Sequence, residues 1–173
     1  IWKDVQSVAN RLAVGKKADE FLEEVDSRIK IIQNRLIYKA SYTPSVLTIE
    51  WIDPIYVGGM WLPEMIKIAG GNVCIAKSGQ PAPVIGQETL PKINPDVVIV
   101  KPCGYKLDQT IKEMCLLRKK LPWQDWEKKS LTRFYLVDGN CYFNRPGPRI
   151  LDSVEILAHC IQPDLFPVFG EYY

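Results

Sequence analysis

Apolar positions recur at helical spacing through the first forty residues and then give way to short continuous runs. Residues 3–13 carry Val5, Val8, Ala9 and Leu12 on one face, which predicts a short helix interrupted at Gly15. From about Lys17 to about Tyr38 the stripe Phe21 or Leu22, Val25, Ile29, Ile32 and Leu36 predicts a longer helix. Glu20, Glu23, Glu24, Arg28, Lys30 and Arg35 should point outwards from it. Ser41 to Pro44 ends this helix, because proline and its predecessor disfavour its continuation. So long a helix ahead of the first strand predicts a strut that joins the domain to something in front of it.

Strand-like and helix-like segments then alternate. Val46 to Glu50 predicts a strand and Trp51 to Gly59 a loop. A helix follows from about Trp61 to Ala69, with Pro63 in its first turn and Gly70-Gly71 as its C-cap. Val73 to Ala76 predicts a short strand, Lys77 to Gly86 a surface loop, and Glu88 to Ile93 a short helix stopped by Asn94-Pro95. The β-branched run Val97 to Val100 predicts a central parallel strand covered on both faces. Next comes a helix from about Leu107 to Arg118, with Ile111, Met114 and Cys115 inward. Trp123 and Trp126 predict a short helix or turn, and Phe134 to Val137 a strand. The last helix carries Ile150, Val154, Leu157 and Ile161, and the tail Gln162 to Tyr173 should pack irregularly. The alternation predicts an α/β fold: a three-layer α/β/α lobe with a mostly parallel sheet of about four strands, behind a long linker helix.

Composition narrows the function classes. With 22 Lys and Arg against 20 Asp and Glu, charge gives no argument for a nucleic-acid partner. No apolar run is long enough to span a bilayer, and no signal peptide is visible. The first residue, Ile1, suggests processing or an excised segment. The five cysteines are scattered without a C-x-x-C; Cys74 and Cys115 sit in apolar patterns and read as buried thiols. That usage leans towards a reducing compartment.

Candidate chemistry gathers at the predicted strand ends, where ligands bind in open α/β sheets. The first loop offers Trp51, Asp53 and Tyr56, and the helix start Trp61. The third strand delivers Cys103, Gly104 and Tyr105; the stiff loop Asp138–Arg149 delivers Tyr142, Phe143 and Arg145, braced by Pro146 to Pro148. Aromatics with a few polar groups suit a large, flat, partly apolar ligand better than a small reacting substrate. Capping the sheet is the simpler role for about half of them. Cys103 and Cys141 can flank one crevice as metal-binding or redox-active thiolates, although small side chains in tight loops fit as well. Glu88 opens a short helix, where the dipole favours a carboxylate. His159, the one histidine, falls inside a helix; neither a catalytic triad nor a zinc cluster is visible, and no glycine-rich phosphate loop follows a strand.

Thr48-Ile-Glu-Trp-Ile-Asp-Pro-Ile-Tyr-Val-Gly-Gly59, Trp61-Leu-Pro-Glu-Met65, Ala69-Gly-Gly71, Asn94-Pro-Asp-Val-Val-Ile-Val100 with Lys101-Pro-Cys-Gly104, and the Asp138–Arg149 loop come in a telling order. Together they resemble substrate-binding proteins of ABC importers, of the cobalamin and iron-siderophore branch in which one long helix joins two lobes. The resemblance covers about Val46 to Ile161 and implies three parts. Residues 1–15 would be a remnant of the first lobe, 16–40 the inter-lobe helix, and 41–173 the C-terminal α/β lobe. It implies no catalysis, no required cofactor and no resident metal. The ligand would be a corrinoid such as cobalamin, or a ferric chelate, held by Trp51, Asp53, Tyr56, Trp61, Cys103, Gly104, Tyr142, Phe143 and Arg145. The partners would be ABC permease subunits, met by Glu88 and outside the cytoplasm. The opposite wall of the cleft is not in the chain, and its exposed face predicts a homodimer as one outcome. Gln80-Pro-Ala-Pro83 has no aromatic where cobalamin binders supply one. Two further readings remain: a cytosolic corrinoid-binding, metal-chelate-binding or protein-interaction module of the same fold, and an enzyme using Cys103 or Cys141.

Overall fold

The computed structural model describes residues 1–39 and 42–166. Two helices lead, α1 (Trp2–Arg11) and α2 (Gly15–Lys39). The sheet then forms from β1 (Ser45–Ile52), β2 (Ile55–Val57), β3 (Asn72–Val73), β4 (Val97–Val100) and β5 (Arg133–Leu136). Between and after the strands lie α3 (Leu62–Ile68), α4 (Leu107–Lys112), α5 (Met114–Lys120), α6 (Trp123–Ser130) and α7 (Ile150–Ile161). Of the predicted tail, Tyr173 and its six predecessors fall outside the described residues, as does Ser41 of the predicted helix stop.

β1 is the centre of the sheet. One of its edges pairs in parallel with β4, Val46 opposite Val97 through Ile49 opposite Val100, and β4 pairs in parallel with β5. The other edge is shared: β3 runs parallel to its start and β2 antiparallel to its end. β2 lies in what the sequence predicts as a loop, because three residues between a proline and two glycines are too few to show a strand period. It is extended by Val84, which bridges to Tyr56, and by Ile85, whose N–H donates to the Ile55 carbonyl.

Alternate residues of each strand feed two cores, as the period of a buried strand requires. Val46, Val97 and Ile99 face α2, α3 and α7 through Ile32, Ile66, Val154 and Leu157. Leu47, Ile49, Val98 and Val100 face the other way, towards Leu117 of α5 and Trp126 of α6. Each fully buried Leu, Ile or Val contributes about 1.5–3 kcal/mol relative to exposure, so the sheet is held mainly by these two apolar layers. α2 buries Val25 and Ile32 of its predicted stripe and leaves Glu20, Glu23, Glu24, Lys30 and Arg35 exposed.

Several local expectations need correction. Arg28 does not point away: its guanidinium bridges to Glu155 (2.8 Å) and Asp152 (3.0 Å) on α7. The single helix predicted from Leu107 to Arg118 is two helices broken at Glu113. Thr110 and Leu117 turn inward while Ile111 and Cys115 are exposed. Thr110 satisfies its hydroxyl on the Lys106 carbonyl. The predicted helix over Glu88–Ile93 is a single 3₁₀ turn, Leu90–Lys92, that seats Leu90 in the core. Glu88 precedes it in an exposed turn.

Candidate functional site

The loops at the carboxyl ends of β1, β4 and β5 meet, and three backbone contacts join them. Cys103 N–H donates to the Glu50 carbonyl (2.9 Å), and Asn140 N–H donates to the Tyr105 carbonyl (3.0 Å). Gly139 lies so close to the Pro102 carbonyl that no Cβ would fit there. Gly139–Phe143 forms one π-helical turn, capped by the Asp138 carboxylate accepting from Cys141 N–H at 2.7 Å. Such turns are rare and concentrate at sites where a side chain must be aimed.

The predicted ring of site residues divides into two groups. On the α5 side, Trp51 and Tyr105 meet edge to face with centroids 5.4 Å apart. The Trp51 indole N–H donates to the Asp53 carbonyl (3.1 Å). The Asp53 carboxylate pairs with Lys120 at 3.0 Å, which fastens this loop to α5. Trp51, Asp53 and Tyr105, together with Pro102 and Leu116, line a shallow crevice of about 90 Å³. Tyr56 is half-buried on β2, Cys103 is exposed, and Gly104 is exposed with φ +78°, a conformation that favours glycine.

On the α2 side, Trp61 lines a groove with Trp2, Ile29 and Met65, formed by α1, α2, α3 and α7. Tyr142 is half-buried against the same core, its carbonyl accepting from the Ser153 hydroxyl. Phe143 is 2 % exposed and belongs to the core, so its side chain is withdrawn from the rim. The period of the π turn, which the sequence does not reveal, turns it inward. Arg145 is exposed.

Three polar residues at these strand ends are missing from the predicted ring. Lys101 is 2 % exposed at the end of β4, and its ammonium lies 3.2 Å from Glu50 Oε2 at the end of β1. Burial pushes the lysine below its ordinary range, and the Glu50 charge and hydrogen bond oppose that shift without cancelling it. A charged residue placed directly after the continuous apolar run of β4 was the available signal for Lys101, whereas Glu50 lies within β1 and has no such mark. Asn144 is the third: neither atom of its buried side-chain amide has a partner, and no sequence pattern marks it.

The opposite end of the sheet has its own polar cluster. Asp96 accepts from Ser45 N–H and from its hydroxyl, both at 2.6 Å, and from the Tyr42 hydroxyl at 2.9 Å. Burial raises the Asp96 carboxyl, but these bonds and the nearby Arg133 charge outweigh it and hold it below its usual range. His159 closes the helix layer, its Nδ1 2.7 Å from the Phe166 carbonyl. Burial pushes the Cys74 thiol up to about 11 and Cys160 up to about 12, so both stay protonated. Among the described residues no group of three or more His, Cys, Asp or Glu is placed to hold a metal ion, and no helix is long and apolar enough to cross a membrane.

No family model matches the chain. It is 25 % identical over 171 residues to the uncharacterized ABC transporter substrate-binding lipoprotein YvrC of Bacillus subtilis (strain 168), an alignment that takes in 96 % of this chain and 51 % of YvrC. The chain thus spans about half the length of this curated relative. Among solved structures, a periplasmic heme-binding protein from Pseudomonas aeruginosa superimposes with a TM-score of 0.77 and 17 % identity, covering 99 % of this chain and 62 % of that one. S. aureus IsdE complexed with heme gives 0.75 and 18 %, over 96 % and 64 %. The TroA-like periplasmic binding protein FepB from Veillonella parvula gives 0.73 and 15 %, over 96 % and 52 %. The chain resembles ABC-importer substrate-binding proteins, and its mixed α/β fold with a mostly parallel sheet is the fold of their lobes.

Proposed function

We propose that the chain is the C-terminal part of a solute-binding protein that serves an ABC importer outside the cytoplasm. In this reading α2 is the inter-lobe strut, α1 is what the chain holds of the first lobe, and residues 41–173 are the second lobe. The ligand is a metal chelate, either a corrinoid such as cobalamin or a ferric chelate, and it binds without chemical change. The observation that carries the reading is the alignment of nearly the whole chain with half of a substrate-binding lipoprotein. The names of its structural neighbours, among them two heme binders, support a flat metal chelate as the ligand class.

The rim supports this ligand class through its own chemistry. Trp51, Tyr105, Tyr56 and Tyr142 supply flat apolar surface with polar tips, and Arg145 supplies a cation for an acidic substituent. Cys103 and Gly104, exposed on the loop after β4, offer further contacts. Glu88, exposed on the surface turn, is the contact for a basic residue of the permease. An exposed ion pair there contributes about 0–1 kcal/mol, so it sets orientation and on-rate rather than affinity.

Titration of the complete two-lobed protein with cyanocobalamin, haemin and a ferric siderophore, followed by tryptophan fluorescence, tests the reading. One of the three is expected to quench saturably, with Trp51 as a reporter. Quenching by none of them removes the chelate class.

A further inference from the structure

Glu50 and Lys101 carry the reading one step further, and the step rests on the carboxyl-end rim being the binding face. Lys101 directly follows the four fully buried residues of β4, and its side chain is 3 % exposed. Its ammonium reaches across to Glu50 Oε2 on the neighbouring strand at 3.2 Å, and the same oxygen accepts from Gly59 N–H at 3.4 Å. Gly58 N–H donates to the Thr48 carbonyl at 3.1 Å, so the turn that leads to Trp61 hangs from β1 at two points. The segment after Lys101 is fixed in the same place, by Cys103 N–H on the Glu50 carbonyl and by Gly139 packed on the Pro102 carbonyl. One carboxylate and one ammonium therefore hold together three segments behind the rim: the end of β1, the Gly58–Trp61 turn and the start of the Lys101–Tyr105 loop.

Stability alone is a poor reason for this pair. Removing an ion pair from water costs several kcal/mol per ion, and apolar residues of similar volume usually serve a core as well or better. What a directional pair supplies, and an apolar one does not, is a defined register between the loops it joins. The titratable groups that act on the Lys101 ammonium are Glu50, from β1, and Cys103, on the loop that follows β4.

We propose that Glu50 and Lys101 form a positioning latch that holds the Gly58–Trp61 turn and the Lys101–Tyr105 loop in the register the chelate-binding rim requires. The variants are Glu50→Gln, which keeps the shape and loses the charge, Lys101→Met, and their double. Amide hydrogen exchange of the ligand-free chain should quicken about tenfold at residues 58–61 and 101–105 in each single variant, with β1 and β4 still protected. In the unmodified chain the ¹³C signals of Gly59 should follow the Lys101 ¹³Cε titration through one alkaline step, below the range of an ordinary lysine. Lys101→Met should lack that step. Uniform loss of protection, an unchanged rim, or rim signals that ignore the lysine titration would each overturn the latch. A Lys101→Met chain that does not fold leaves Glu50→Gln to decide. In the two-lobed protein, release of haemin or cyanocobalamin should be about tenfold faster in Glu50→Gln, a loss of about 1.4 kcal/mol. If neither probe binds the unmodified protein, the ligand reading fails, while the exchange and ¹³C results still decide the latch.

Discussion

Two side chains do more than the sequence pattern assigns them. Arg28 occupies an outward-looking helical position, yet it joins α2 to α7 through two carboxylates and is only 27 % exposed. Charge-assisted hydrogen bonds of this kind contribute about 1.5–3 kcal/mol when partly shielded. Arg28→Ala should therefore lower stability by about 1–2 kcal/mol in urea unfolding, and a change within error would show that the bridge is only a surface contact. Asp96 is the second. Its carboxyl lies below the usual range in the folded chain, so its contribution is fully present above the unfolded carboxyl value. That contribution is lost as pH falls through the lower, folded value. Asp96→Asn should be less stable than the unmodified chain at pH 7, and the gap should narrow on acidification. A gap of constant size between neutral and acid pH would mean that the Ser45 and Tyr42 bonds do not depend on the charge.

At the scale of elements, what was legible in the sequence was whatever repeats. The stripe of α2, the β-branched run of β4 and the proline-started, glycine-ended α3 were all predicted, because each is written over a turn or more of chain. β2 was not, since three residues carry no period, and neither was the break at Glu113, which no proline or glycine marks. The candidate site suffered most from this local blindness. A π turn at Gly139–Phe143 decides that Phe143 enters the core, while Trp61 is decided by the groove beside Trp2. Gly139 concentrates the consequence: any Cβ there would meet the Pro102 carbonyl oxygen, and the Lys101 carbonyl oxygen lies at 2.9 Å. Gly139→Ala should cost about 1–3 kcal/mol, as overpacking against backbone usually does, and should shift the amide signals of residues 102–105 more than those of α2. Equal shifts in both regions would mean that the loops are not coupled at this glycine.

The whole molecule is uneven in how well it covers its apolar surface. Both faces of the sheet are closed by helices, yet Val8 of α1 is 55 % exposed and Leu12, just after it, 66 %, beside Val14 at 39 %. With Phe21, Pro146 and Pro148 they line an open groove of about 440 Å³. Under the proposed function a first lobe lies over this groove; in the isolated 173-residue chain the same apolar surface is one on which two copies can meet. Sedimentation velocity of the 173-residue chain should then show association that rises with concentration. Val8→Glu with Leu12→Glu should abolish it and change the thermal midpoint little, because exposed substitutions usually alter stability by no more than about 0.5 kcal/mol. In the complete two-lobed protein the same two carboxylates would be carried into an apolar contact, where an unpaired charge is costly, and the midpoint should fall clearly. The opposed outcomes separate the alternatives. A drop only in the longer protein identifies the groove as the seat of the first lobe, and no effect in either leaves α1 an ordinary solvent-facing helix.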